Sequence, residues 1–356
     1  MNHYFDTAAS GLVPKKYLKA QQQFMNGLST QASGTLQGWY SDKMDELRYM
    51  AAEFLGANHN EIAFLPNFSY GLFALIQSLP ADSKVLMLHE DYPSVFDPFK
   101  LSGFAVHRHK SAQKLHFSEE EIMVALMDKK ANILAISHVQ WLSGYCADIN
   151  GLCAFCRERG ILTIVDATQS MGAIPLSLNE SGADVIMASN YKWMNAGYGT
   201  GLMAARRDFL ERYPPKIRGN HSRMLQGEKW TDNASILGYE PGHLNVPGLI
   251  LLECALEDRL ATGVASIQAH NMRLTKQLIE GLNQADDILI GPVNMNRRSS
   301  IIGLRGGAEL HEQLTRQGFV LSLRHGVVRL SLHYHNHPEE VDALVSLLNN
   351  FPKQTH

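Results

Sequence analysis

The chain has 356 residues, 45% of them hydrophobic and 19% charged, with a formal net charge of -3. That length can bury a large core and allows one big domain with a smaller one beside it, while the near-neutral charge offers no basic field for nucleic acid. The opening MNHYFDTAASGLVPKK lacks the basic-then-apolar order of a signal peptide, no apolar run is long enough to cross a bilayer, and four cysteines (Cys146, Cys153, Cys156, Cys254) are too few for a disulfide scaffold, so a cytoplasmic setting, small-molecule chemistry and no membrane or nucleic-acid partner are expected.

From about residue 60 to 205, short apolar runs alternate with helix-like segments. EIAFLP, KVLMLHE, FAVHRHK, NILAISHV, ILTIVDA and DVIMAS read as strands. Most are continuously apolar, as strands covered on both faces are, so the pattern predicts an α/β fold with a mostly parallel sheet wrapped by helices. Cys153 and Cys156 match C-x-x-C, but they lie at helical spacing in GLCAFCRERG with no second pair, and a buried helix face is the expected reading. At ERYPPKIRGNHSRM, Pro214, Pro215 and Gly219 break the periodicity and predict a surface loop. A helical stretch from about Pro247 to Gln284, interrupted at Gly263, leads into strands SIIGLRG, GFVLSL and VVRLSLHY and a last helix opened by Pro338. This later part is a mixed α+β unit.

In α/β sheets ligands gather beyond the carboxyl ends of the strands, so polar residues that directly follow apolar runs carry the information. Asp166 ends ILTIV, and a buried carboxylate there needs a cationic or hydrogen-bonding partner unless it is only a helix cap. Lys192 follows DVIMAS through Ser189 and Tyr191. A desolvated lysine there has a lowered pKa and serves as a Schiff-base nucleophile, the alternative being a surface lysine at a loop. EIAFLP runs into Asn67, Phe68 and Ser69 at a helix start, where backbone N–H groups and a hydroxyl form an anion site. A lysine for an aldehyde, a carboxylate for a ring nitrogen and a helix terminus for a phosphate together describe pyridoxal 5′-phosphate (PLP). Gly197, Gly199 and Gly201 are expected to let the backbone pass close to that cofactor.

ISHVQWLSG, IVDATQSMGAIPL and GADVIMASNYKWMNAGYGTG, with YFDTAASGLVP before them and VVRLSLHYHNHPEEVDAL after, resemble the class V aminotransferase group of fold-type I PLP enzymes. That group includes cysteine desulfurases, selenocysteine lyases, kynureninases and isopenicillin N epimerase-like proteins. The resemblance implies a large PLP-binding domain over 16–245 with a mostly parallel seven-stranded sheet. It also implies a small α+β domain built from 1–15 and 246–356, and a homodimer. Lys192 then forms the aldimine, and Asp166 partners the pyridinium nitrogen. Gln169 meets the phenolic oxygen or the lysine, Tyr92 stacks on the ring, and Asn67, Phe68, Ser69, Ser189 and Tyr191 surround the phosphate. Thr200 reaches the phosphate of the partner subunit.

Arg329 matches the arginine that clamps the substrate carboxylate, which a guanidinium holds through two parallel hydrogen bonds. Arg324 is a lesser candidate, and Trp141 and His221 are expected to line the substrate pocket. His333, His335 and His337 alternate but lead into the Pro338 helix start, and no metal is expected. Desulfurases carry a catalytic cysteine on a loop shortly before the clamp arginine, whereas this chain has no cysteine after Cys254 and only GFVLSLRHGVV in that place. The implied function is therefore that of an aminotransferase or β-lyase working on an amino acid through a quinonoid intermediate, not of a persulfide-forming desulfurase. A kynureninase-like hydrolase, an epimerase and a non-catalytic PLP-fold binding protein are the alternatives.

Overall fold

The computed structural model describes residues 3–111, 115–283 and 285–351. A short strand β1 (His3–Tyr4) precedes helix α1 (Lys15–Phe54), which is broken at Gln31 (φ -142°, ψ 56°). Seven strands then build the large sheet: β2 (Ile62–Leu65), β3 (Lys84–Leu88), β4 (Ala105–His109), β5 (Ile133–Ser137), β6 (Leu162–Asp166), β7 (Val185–Ser189) and β8 (Gly201–Ala205). They lie in the order β2-β8-β7-β6-β5-β3-β4, all parallel except β8, which runs antiparallel between β2 and β7. The six strands read from the sequence are present. The one not read, β8, begins at Gly201 directly after a glycine-rich stretch that hides its short run of small residues.

Helices α2 (Phe68–Ile76), α3 (Pro93–Leu101), α4 (Glu119–Asp128), α5 (Ile149–Glu158) and α6 (Leu178–Ser181) fill the connections, and α7 (Arg207–Arg212) follows β8. The inner strands bury both faces because successive side chains alternate, whereas the edge strand β4 has no fully buried residue. Phe64, Leu86, Ile136, Val165 and Ile186 join one core with α1 and α5, while Ala63, Met87, Ala135, Ile164 and Met187 join another with α2 and α3. Cys153 and Cys156 are buried on α5 in the first of these cores.

Beyond β8 the chain forms a hairpin of β9 (Arg223–Gln226) and β10 (Lys229–Asp232), then α8 (Val246–Thr262) and α9 (Val264–Gly281), parted at Gly263. A second sheet has the order β11-β12-β15-β14, from β11 (Leu289–Ile290), β12 (Ile301–Leu304), β14 (Ser322–Arg324) and β15 (Val327–Ser331), all antiparallel. Strand β13 (Phe319–Val320) pairs instead with β1, in parallel. Helix α8 buries Leu249, Leu252 and Leu256 in the core that holds α1, whereas α9 packs Leu274 and Leu278 into a third core with the second sheet and Phe5.

Among the large-sheet strands, β3 is followed by β4 on one side and by β5 on the other, so the order reverses between β3 and β5. A crevice opens outside the carboxyl ends of strands at such a reversal. Asp91 follows β3 and accepts hydrogen bonds from Ser137 at the end of β5, through its N–H at 2.9 Å and its hydroxyl at 2.5 Å.

Candidate active site

The crevice is a cavity of about 390 Å³ whose wall includes Asn67, Phe68, Ser69, Tyr92, Trp141, Asp166, Gln169, Ser189, Tyr191 and Lys192. The carboxyl ends of β2, β3, β5, β6 and β7 thus converge, and the turn that follows each one supplies a side chain.

The Lys192 side chain is 5% exposed, and among the described residues its amine has no hydrogen-bond partner. Its Nζ lies 5.4 Å from the Tyr92 ring centre and 5.5 Å from that of Tyr191. Burial pushes its pKa down, the Asp166 carboxylate pulls it back up, and the Arg329 and Arg324 charges push it further down. Asp166 moves the opposite way: burial raises its carboxyl, against the hydrogen bonds from Thr168. One of these, from the Thr168 N–H to Oδ1 at 2.8 Å, fixes the carboxylate at the end of β6.

Helix α2 opens at the cavity because Asn67 caps it, its side chain accepting from the Tyr70 N–H at 2.9 Å. The Phe68 N–H donates to Ser189 Oγ at 2.9 Å, tying the helix start to the end of β7. Ser69 Oγ donates to Ser94 Oγ at 2.9 Å, so the first turns of α2 and α3 meet there. Gly201 makes this approach possible, since a Cβ at that position would lie 2.7 Å from the Ala188 carbonyl and 3.2 Å from Asn67 Cα.

Tyr92 is 39% exposed and meets Trp141 edge to face at 5.7 Å. Both amide ends of Gln169 are engaged: Oε1 accepts from Trp193 Nε1 at 2.8 Å and Nε2 donates to the Ala8 carbonyl at 3.1 Å. One Nε2 hydrogen remains for a ligand. Arg329 is 3% exposed, donates to the Trp141 carbonyl at 3.1 Å and pairs with Asp6 at 3.6 Å. Among the described residues its Nε is buried without a hydrogen-bond partner.

Of the residues singled out in the sequence, Thr200, His221, Arg324 and Arg329 are absent from the cavity wall, Thr200 being expected at a partner subunit's site rather than its own. His221 is exposed on the loop before β9, with its ring edge-on to His243 at 4.7 Å. Thr200 is 2% exposed within its own chain, its hydroxyl 3.4 Å from Asn190 Nδ2. Conversely, Asp91, Ser94, Thr168 and Tyr198 belong to the crevice or brace it without having been picked out. Asp91 and Thr168 carry the same signal as Asp166, a polar group just past an apolar run.

An amine without a partner, a strand-end carboxylate and the hydroxyl-lined start of a helix around one cavity fit PLP by their chemistry, and they define a PLP-dependent enzyme of fold type I. The family pattern described as Aminotransferase class-V matches residues 3–344, and the chain belongs to that family. A probable cysteine desulfurase of Pyrococcus abyssi is 24% identical over 98% of this chain and 94% of its own, and a kynureninase of Geobacillus thermodenitrificans is 25% identical over 99% and 88%. The cystine C-S lyase C-DES, solved in complex with its product cysteine persulfide, aligns with a TM-score of 0.88 at 19% identity over 99% of this chain and 98% of that one.

Proposed function

We propose that the protein is a PLP-dependent β-lyase that acts on a sulfur-bearing α-amino acid and releases the sulfur group to solution rather than onto a thiol of its own. The observation that carries this reading is the tight β14–β15 hairpin, whose turn at His325 and Gly326 stands where a desulfurase would carry its cysteine loop. No cysteine lies on the cavity wall. Burial raises the thiols of Cys146, Cys153 and Cys156 to about 12, which leaves them un-ionised and poorly nucleophilic. The named activities of the relatives, desulfurase and cystine C-S lyase, support a sulfur amino acid as the substrate.

When bound, PLP supplies an electron-withdrawing ring that stabilises negative charge on the substrate α-carbon. In this reading Asp166 keeps the proton on the ring nitrogen, and the hydroxyls and N–H groups at the start of α2 hold the phosphate. Tyr92 covers the ring face. Arg329 receives the substrate carboxylate through its unspent Nε–H and holds it beside Trp141. The Lys192 amine, its pKa lowered by burial to about 8, takes the α-proton in its neutral form. The Cβ–S bond then breaks, the sulfur leaves as a thiolate or persulfide, and the remaining three-carbon unit hydrolyses to pyruvate and ammonia. The reading includes a homodimer, in which a second copy closes the side of the cavity where Tyr198 stands 67% exposed.

The test is to mix the PLP-loaded protein with cystine, cysteine and a panel of other amino acids and to identify products by mass spectrometry. Pyruvate with a small-molecule thiol or persulfide is expected. Accumulation of pyridoxamine phosphate would instead establish amino transfer, and sulfur recovered on a protein cysteine would overturn the thiol-free route.

A further inference from the structure

The turn that follows Lys192 is gripped from the side opposite the cavity. Arg259, near the end of α8, donates to the Trp193 carbonyl at 2.9 Å and to Asn195 Oδ1 at 2.6 Å. His333, just after β15, reaches the same two oxygens with Nε2, each at 3.1 Å. Both oxygens can only accept, so Nε2 carries the hydrogen and Nδ1 accepts from Asn271 Nδ2 at 3.3 Å. His333 is therefore a neutral imidazole with one tautomer imposed on it.

This grip is costly to build. Arg259 is 3% exposed and His333 fully buried, and among the described residues no carboxylate pairs with the guanidinium, which lies over the Tyr334 ring at 4.9 Å. A buried cation without a counter-ion opposes folding unless what it holds repays the loss. What it holds is a backbone that needs holding: Asn195 sits in the left-handed region at φ 59°, and its N–H closes the turn onto the Lys192 carbonyl at 3.0 Å.

The N-terminal segment completes the vice. Asn195 Nδ2 donates to the Leu12 carbonyl at 2.9 Å, and the Gly11 N–H donates to the Tyr191 carbonyl at 2.8 Å. Position 11 tolerates only glycine, because a Cβ there would sit 2.0 Å from the Lys192 carbonyl. The carbonyls of Tyr191 and Trp193, on either side of Lys192, are thus both held by residues distant in the chain.

We propose that Arg259 and His333 are positioning residues for Lys192, which fix the 192–195 turn from the α8 and β15 side and so set where the amine stands in the cavity. The proposal rests on the assignment of Lys192 as the reactive amine. The two donors act through the Trp193 and Asn195 oxygens and touch neither substrate nor cofactor.

The experiment compares His333→Leu, which removes the donor, with His333→Gln, which offers an N–H in its place. Asn195→Gly is added because it keeps the left-handed turn but deletes the Oδ1 acceptor, together with the Nδ2 donor to Leu12. Five quantities are read: melting temperature, the rate at which apoprotein develops the visible band on adding PLP, the peptide labelled by borohydride, kcat and KM. Folded His333→Leu and Asn195→Gly are expected to lose about tenfold in both band development and kcat, with KM changed less than about threefold, because a displaced amine costs rate rather than binding. His333→Gln is expected to recover most of both losses. A folded His333→Leu or Asn195→Gly with wild-type rates overturns the proposal, as does a glutamine variant no better than the leucine one. If His333→Leu does not fold, Asn195→Gly decides alone. A wild-type label on another peptide would overturn the Lys192 assignment and this proposal with it, whereas a label on Lys192 with unaffected variants overturns the proposal alone.

Discussion

An amine that is buried, unbonded and near one carboxylate stands close to the balance between its charged and neutral forms, and Lys192 is such an amine. The Asp166 charge favours the ammonium form, so Asp166→Asn is expected to lower the Lys192 pKa further. In apoprotein, the pH at which PLP capture accelerates then moves down relative to wild type, as stopped-flow absorbance would record. Turnover of the loaded variant is expected to fall by about a hundredfold or more, because the ring nitrogen loses its anionic partner. Arg329→Lys keeps the charge but loses the forked donor set, and KM is expected to rise roughly thirtyfold, equivalent to about 2 kcal/mol. Lys192 and Asp166 were legible in the sequence because each ends an apolar run. Asp91 carries that signal too, but its purpose shows only in the fold, where Ser137 of the neighbouring strand donates to it. Gln169 was legible as a site residue but not its bonds, since its partners lie at positions 8 and 193.

In the proposed reading, the β14–β15 hairpin is the element on which a thiol-free route depends. Its exposed turn leaves His325 edge-on to Trp141 at 5.7 Å, and Arg329 on β15 pairs with Ser322 across the same hairpin. A variant with all four cysteines replaced by alanine or serine is expected to retain kcat within about threefold, since none is asked to carry sulfur, with some loss of stability from the buried Cys153 and Cys156. Steady-state kinetics beside a thermal melt would check it. The strands of the large sheet were legible from continuous apolar runs, and the short loop from its length. Strand β8 was not, because an antiparallel insertion between β2 and β7 has no periodicity of its own and its first residue is a glycine needed for close packing.

Across the molecule, buried neutral histidines make acid costly. Burial lowers His138 to about 4 and holds His333 well below the usual imidazole value. An unfolded histidine binds its proton below about pH 6.5 while folded His138 does not, so its contribution to stability is intact above that pH and is lost progressively down to about pH 4. The full loss is on the order of 3 kcal/mol. Buried Asp166, with its carboxyl raised, contributes in the opposite direction, so the clean measurement is a difference. Melting temperatures of wild type and His138→Leu between pH 7 and 4 are expected to converge as the pH falls. The second, antiparallel sheet was legible as a change from an alternating α/β pattern to a mixed one, but the course of α8 was not. A helix that buries one face shows the same apolar spacing whichever core receives it, and α8 turns out to pack with α1.

The pairing of β1 with β13 joins residues more than three hundred positions apart, and Gly11 and Leu12 bond the turn around Lys192 in the same stroke. During vectorial synthesis Gly11 and Leu12 can dock on the 191–195 turn once it emerges, but His3 and Tyr4 must wait until Phe319 and Val320 have left the ribosome. The β1–β13 clasp is therefore a late contact, and a truncated product ending before residue 319 would lack it.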